Sequence, residues 1–311
     1  MEVNGRGFDD CVVFLYVVAG TKELLVDFDE TKRTKITRGK KRGTHERQKI
    51  LDILAAAKVC TVSYLHNGEE LRVVPQLFGV HEGWLYLHGS VSSTMFKNHR
   101  QDKQAEGQST DAEAGAVVKT KMAISATLID GLVLARAHMH NSVNYRSVVI
   151  FADTVHVITD KEEKDKGLRI ITEHVLKGRW DDPDARNPNK AERDSTAVVK
   201  IKLSECSAKI RTGGPNDDKD DMKNACWAGD VPLYRVYGCP NADKTTKGRR
   251  ISVPRYLRSA IEDSRGASGM AVKPSDEGVL TKLGNVGGGR QQLVSFLMGA
   301  VLAACVALIL A

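Results

Sequence analysis

Aromatic residues are scarce, 5% of 311, and the two most basic stretches of the chain hold few of them. A binder of single-stranded nucleic acid needs stacking rings beside its cations, so nucleic acid is not an expected partner. Close cysteine pairs are also missing. The six cysteines stand at 11, 60, 206, 226, 239 and 305 with no C-x-x-C among them, which argues against a zinc ribbon or a disulfide framework. They read as small buried hydrophobes with reduced thiols, in a protein whose soluble part faces a reducing compartment. No G-x-G-x-x-G follows a strand, no G-x-S-x-G elbow occurs, and no repeat is evident. A doubly wound dinucleotide fold and a serine hydrolase are therefore poorly supported.

Charge is present but uneven. The formal net charge is +7. Thr31 to Arg47 carries eight Lys/Arg against one Glu, and Asn241 to Gln292 carries ten against five acids. The basic character belongs to these flanks, and the part between them is slightly acidic.

The two ends differ from the middle. Leu293 to Ala311, "LVSFLMGAVLAACVALILA", is uncharged. As a helix it would span about 29 Å, close to the hydrocarbon thickness of a bilayer. Arg290 and the basic linker precede it and no charge follows, which predicts a tail anchor with the large N-terminal part in the cytosol. Cys11 to Ala19 is a shorter apolar run. Glu2, Asp9 and Asp10 outweigh Arg6 before it, the wrong balance for a signal peptide, so it reads as a strand or an apolar arm.

Between the ends, short apolar strands predominate. Val59 to His66 and Leu71 to Val80 flank Asn67-Gly68, a hairpin signal. A strand from Trp84 to Leu87 gives way to a short helix from Ser92 or Ser93 to about His99. Gln101 to Ala116 is polar and aperiodic, a surface insertion. Strands resume with "VVKTKMAISATL", turn at Asp130-Gly131, and continue through "LVLARAHMH", "RSVVIFADTVHVIT", "TAVVKIKL" and "SAKIRTG". Asp160 with Glu163 resembles a capping box opening a helix to about Leu176. The expected fold class is mainly β with a few helices, a small barrel. The expected organisation is an N-terminal arm over 1–37, a barrel domain over 38–240 with the 101–116 insertion, a basic linker over 241–292 and the anchor over 293–311.

Three stretches could carry chemistry. In "LHGSVSSTMF", Gly89 permits close approach, Ser90, Ser93 and Thr94 supply hydroxyls, and a helix start supplies N–H groups, a combination suited to a phosphate. The same residues also read as an N-capped strand-to-helix junction. "MHNSVNYRS" packs His140, Asn144, Tyr145, Arg146 and Ser147 between apolar strands; Arg146 there suits either a phosphate or a neighbouring acid. In "SAKIRTGGP", Lys209 and Arg211 share a strand side by alternation. Trp180 reads as a stacking residue or as cover for a core edge. His138 and His140 share one face of a strand, but no carboxylate or cysteine stands at useful spacing, so no metal is expected.

Taken in order, "RGKKRGTHERQKILDILAAAKVCTVSY", "VVPQLFGVHEGWLYLHGSVSSTMF", "TLIDGLVLARAHMHNSVNYRSVVIF", "SAKIRTGGP" and "CWAGDVPL" strongly resemble the pyridoxamine 5′-phosphate oxidase-related flavoproteins, in the branch of the nitroimidazole-resistance reductases. The resemblance covers about Arg38 to Gly238. It implies an FMN-binding split β-barrel, a homodimer with the flavin in a cleft between subunits. On that carry-over His88, Gly89, Ser90, Ser93 and Thr94 surround the phosphate, Val74, Pro75 and Gln76 lie along the isoalloxazine ring, and Asn144, Arg146, Ser147, Lys209 and Arg211 complete the site. His88 or His140 would tune the flavin or protonate a substrate. Many relatives carry Lys or Arg just after the small-residue turn; here Lys97 is the first cation, and Lys97, Arg42 or Arg146 would have to supply the charge.

The resemblance thus implies an FMN-dependent oxidoreductase passing electrons from a reduced nicotinamide or another donor to a small planar acceptor. A flavin- or haem-binding carrier or sensor at a membrane is the alternative, since fold does not settle function.

Overall fold

A computed structural model describes residues 26–96 and 117–267. The apolar run 11–19, Lys97, the 101–116 insertion and the expected anchor at 293–311 lie outside the described residues. The chain divides into two compact units at Leu233/Tyr234.

The first unit is built on nine antiparallel strands: β1 Gly43–Thr44, β2 Val59–His66, β3 Glu70–His81, β4 Trp84–Ser90, β5 Val117–Leu134, β6 Ser142–Ile158, β7 Thr196–Lys202, β8 Glu205–Arg211 and β9 Gly229–Pro232. Two tight hairpins set the register of the first sheet strands. Asn67 and Gly68 take φ of 53° and 77°, and Glu82 and Gly83 take 47° and 79°. Paired positive φ values match the twist of the flanking strands, and they fix Val62 opposite Val74 and His81 opposite Trp84.

Six strands close on themselves in the order β5-β6-β7-β4-β3-β2 and back to β5. Closure leaves no free edge among those six. The two long strands then leave the barrel part-way. β5 pairs with β2 through Tyr64/Met122 and Thr61/Ser125, and further on with β9 through Gly131 to Leu134. β6 pairs with β8 from Tyr145 to Phe151 and with β7 from His156 to Ile158. This is a split barrel.

The turn expected at Asp130-Gly131 is not formed. β5 runs straight through, with a register shift between Ile129 and Gly131. A bulge there needs glycine for a spatial reason: a Cβ on Gly131 would lie 2.9 Å from the Val231 carbonyl oxygen of β9. The signal for a turn and the signal for a bulge are the same residue pair, and strand pairing on both sides of β5 selected the bulge.

Inside the barrel, Val62, Phe78, Leu85, Leu87, Ile124, Val148, Ile150 and Ile201 are buried. Helix α1, Arg47–Ala56, adds Ile50, Ile53 and Leu54 to the same core. Cys60 and Cys206 are free and buried in it, and burial pushes both thiols up to about 12. Helix α2, Lys161–Val175, lies on the outside of β3, β4 and β7 over Tyr86, Ile158 and Val198. Its N-cap Asp160 accepts from the Glu163 N–H at 2.8 Å, a contact worth about 1 kcal/mol. The Glu163 carboxylate binds Lys200 of β7 rather than closing a capping box. Burying Ile171 on this face contributes roughly 1.5–3 kcal/mol more.

In the second unit, two helices, Lys244–Gly248 and Arg255–Ala267, are described. The Tyr237 N–H donates to the Ser264 hydroxyl at 3.0 Å. Among the described residues no helix is long and apolar enough to cross a membrane.

Candidate functional site

Strand alternation sorts the expected site residues onto two faces. On β3, Val74 and Gln76 face inward with their partners Val62 and Cys60, while Pro75 faces outward with Thr61. On β4, Leu87 enters the core, so His88 and Ser90 point out. Gly89 falls on the inner side, where any side chain would collide with the Phe96 ring that plugs this end of the barrel. Ser147 and Lys209 pair with each other, and Ser147 also pairs with exposed Thr127, on the outward side. Asn144 and Arg146 take the opposite side of β6, in step with buried Val148.

The outward face has a distinctive composition. One cross-strand row reads Pro75, Thr61, Ser125, Val149, Ser207 across five strands. With strands about 4.8 Å apart the row is roughly 19 Å long. The next row reads Val73, Ser63, Ala123, Phe151, Glu205. The middle of both rows is small, and the rim is apolar and open: Val59 is 50% exposed, Val73 58% and Leu77 41%. A shallow floor of Thr, Ser and Ala with an apolar rim suits a flat ligand or another protein surface.

His88 stands at the edge of this floor. Its Nδ1 is buried with no hydrogen-bond partner among the described residues. Burial lowers its pKa, so the ring is neutral at pH 7. A neutral imidazole offers one donor and one acceptor.

The hydroxyls that follow are partly committed to one another. Ser90 and Ser92 share a hydrogen bond at 2.7 Å, and the Ser90 hydroxyl accepts from the Ser92 N–H at 3.2 Å. Thr94 shares one with the Tyr64 hydroxyl at 3.0 Å. The Ser93 N–H donates to the Ser90 carbonyl at 3.0 Å. The described part of the helix spans residues 94–96.

The second group sits at the start of β6. Arg211 is buried; it donates to the Asn144 side-chain oxygen and, at 3.0 Å each, to the carbonyls of Gly213 and Gly214. Its Nε has no hydrogen-bond partner among the described residues. Arg146 binds Asp130 through two hydrogen bonds of 2.8 Å, and that contact raises its pKa further. Of the two readings of Arg146, the acid is the one formed. Lys209 donates to the Arg38 carbonyl at 3.1 Å, which folds the basic flank onto β8. His138 and His140 are not on a strand face. They begin and end a single 3₁₀ turn, His138–His140.

The two groups meet β6 at different levels depending on the route taken round the barrel. His88 pairs with Val198, which pairs with Ile158, the last residue of β6. His140 precedes Ser142, the first. Counted the other way round the barrel, the row through Pro75, Thr61 and Ser125 meets β6 at Val149, five residues from Asn144, roughly 16 Å of strand. The outward small-residue floor at Thr61 and Ser125 escaped the sequence reading. Its signal was there in the period-two alternation of Val59 to His66 and of Val117 to Ile129, read for the core and not for the opposite face.

A closed six-stranded barrel whose two longest strands leave it half-way defines the split-barrel class. Residues 46–210 match the family described as pyridoxamine 5′-phosphate oxidase, more than half the chain, and the chain belongs to that family. Among solved structures, the flavocytochrome Anf3 from Azotobacter vinelandii is 26% identical with a TM-score of 0.62, covering 74% of this chain and 97% of that one. The FAD and heme binding protein from Mycobacterium smegmatis is 26% identical with a TM-score of 0.60, covering 71% and 97%. A 5-nitroimidazole antibiotic resistance protein, so named, from Bacteroides thetaiotaomicron is 21% identical with a TM-score of 0.40, covering 54% of this chain and 86% of that one. No curated protein matches the chain.

Proposed function

We propose that this protein is a flavin-dependent oxidoreductase that binds FMN on the outward face of its barrel. The observation that carries the reading is the floor of Thr61, Ser63, Ala123 and Ser125, bordered by His88 and Pro75, in a chain of this family. Small side chains there leave room for a flat ring, and the apolar rim of Val59, Val73 and Leu77 excludes water from it. The uncommitted Nδ1 of His88 fits a polar ring edge.

The flavin, when bound, accepts and donates the electrons; the protein supplies binding, orientation and access. Pro75 and Thr61 present the floor, and Ser90 stands beside it for a polar tail. His88, held neutral by burial, orients the ring by a hydrogen bond or holds a proton at an imidazole nitrogen. The Arg211–Asn144 group lies on β6 and β8, roughly 16 Å of strand from the floor row at Val149 and Ser207. We assign it to the site formed when a second copy packs its own outward face against the first, as the family resemblance implies. The donor is a reduced nicotinamide or another small reductant and the acceptor a small planar molecule. We further propose that residues 293–311 hold the flavin domain on the cytosolic side of a membrane.

A second reading rests on the names of the two similar structures, a flavocytochrome and an FAD and heme binding protein: a haem- or flavin-binding carrier without turnover. One measurement separates the two. The full chain, purified in detergent, is examined by visible absorption before and after NADPH, and any released nucleotide is identified. Flavin bands that bleach, with FMN released, support the oxidoreductase. A Soret band without flavin moves the case to haem. A colourless protein that takes up no added FMN overturns the proposal.

A further inference from the structure

The loop after β8 reads "GGPNDDKDDMK", Gly213 to Lys223, and its four aspartates have different fates. Asp217 is buried against Arg136, accepting from its N–H at 2.7 Å and from its guanidinium at 2.8 Å. Asp220 faces Lys223 at 3.5 Å. No Lys or Arg stands within ion-pair reach of Asp218 or Asp221 among the described residues. Both turn instead toward His140 on the β5–β6 connection. The ligating atoms of His140, Asp218 and Asp221 all lie within 4.8 Å of one another, and His140 Nε2 is 3.9 Å from an Asp218 oxygen.

The three residues are set on a fixed frame. Arg211 holds the loop by the carbonyls of Gly213 and Gly214, and Arg136 holds it at Asp217. Asp221 opens the 3₁₀ turn Asp221–Lys223, and the Asp221 N–H donates to the Asp218 carbonyl at 3.1 Å. The other nitrogen of His140, Nδ1, is buried without a hydrogen-bond partner among the described residues. Two carboxylates with no Lys or Arg partner among the described residues, facing the Nε2 edge of His140, form a site of charge −2 that a divalent cation neutralises.

We infer that His140, Asp218 and Asp221 bind a divalent first-row metal ion. One imidazole nitrogen with two carboxylate oxygens suits Mn²⁺, Fe²⁺, Co²⁺ or Zn²⁺ better than an all-oxygen ion such as Ca²⁺ or an all-sulfur ion such as Cu⁺. Bonds of about 2.0–2.2 Å bring the donor atoms to roughly 3 Å from one another, a small closure for Asp218, whose side chain is 79% exposed. Three protein ligands leave coordination positions for water. The sequence hid this set because Asp218 stands 78 positions after His140. The inference is independent of flavin binding.

The test is a Mn²⁺ titration of the full chain, with free Mn²⁺ read by electron paramagnetic resonance. One site per chain is expected. His140→Gln, Asp218→Asn and Asp221→Asn should each weaken it by at least the roughly tenfold that even changes around a metal's ligands produce. Asp220→Asn, outside the set, should bind as the unaltered protein does. Asp218→Asn alters an exposed side chain, so its result stands even if His140→Gln fails to fold. The absence of a stoichiometric site, or equal binding by Asp218→Asn and the unaltered chain, overturns the inference.

Discussion

Arg146 and Asp130 grip each other with two parallel hydrogen bonds of 2.8 Å, one on β6 and the other at the β5 bulge. The pair explains why the acid sits at the bulge: the register shift between Ile129 and Gly131 brings the carboxylate level with the guanidinium. An Arg already chelated by a carboxylate has few donors left for a phosphate.

Asp130→Ala should therefore destabilise the first unit by about 1 kcal/mol, since a two-bonded pair at a third exposure is worth more than a fully solvated one. Flavin affinity should stay within about twofold. Chemical denaturation followed by fluorescence, and a flavin titration on the same samples, check both halves. Markedly tighter flavin binding by the variant would show that Arg146, once freed, is the phosphate ligand after all.

The outward floor makes a sharper claim. Thr61 is exposed and lies on β2 between Pro75 and Ser125, so Thr61→Arg leaves the core untouched while placing a long cation on the floor. The variant should melt within a few degrees of the unaltered protein, lose bound flavin, and sediment as a smaller species. Retained flavin with an unchanged sedimentation coefficient would move the ring elsewhere and free this face from any interface.

The strands were legible in the sequence because apolar alternation and paired-glycine turns are local signals: Val59 to His66 is found where it was expected, and Asp160 caps the helix it was expected to cap. Asp130-Gly131 misled for the converse reason. The residue pair is compatible with a turn or a bulge, and only β9, about 100 residues away, decides between them. The candidate site was legible residue by residue but not as an arrangement. His88 and His140 are both conspicuous, yet where each stands relative to the floor depends on long-range strand pairings that no local signal carries. Lys97 and the insertion after it lie outside the described residues.

Helix α2 rests on the barrel at Gly79 of β3. A Cβ on Gly79 would lie 2.7 Å from the Ile170 carbonyl oxygen and 2.9 Å from its carbon. Backbone cannot rotate away as a side chain tip can, so Gly79→Ala must lift the helix or bend β3. The expected loss is about 1–3 kcal/mol, read as a lower denaturation midpoint. Gly68→Ala is the control: its Cβ meets nothing within 4 Å, and the variant suffers from its positive φ alone, by about 1 kcal/mol. Equal stability of Gly79→Ala and the unaltered chain would mean that α2 is not seated as described.

Three histidines are held neutral by their surroundings. Burial lowers the pKa of His88; burial and then the positive charge of Lys200 lower that of His156; burial, aided by Lys58, lowers that of His174, whose Nε2 meets the Ala57 carbonyl at 2.7 Å. Each therefore binds its proton less readily folded than unfolded. As the pH falls through about 6.5, the ordinary value for an unfolded histidine, the unfolded chain takes up protons that the folded chain refuses. Stability is then full above about pH 7 and declines on acidification until the lowered folded values are passed. Carboxylates held below their ordinary range, such as Glu205 hydrogen-bonded to Arg33, act in more acid solution still. Melting temperatures at several pH values between 5 and 8 should fall on the acid side, and His174→Gln should flatten that slope. A melting temperature that rises toward pH 5, or a slope that His174→Gln leaves unchanged, would show that these rings are not buried neutral in the folded chain.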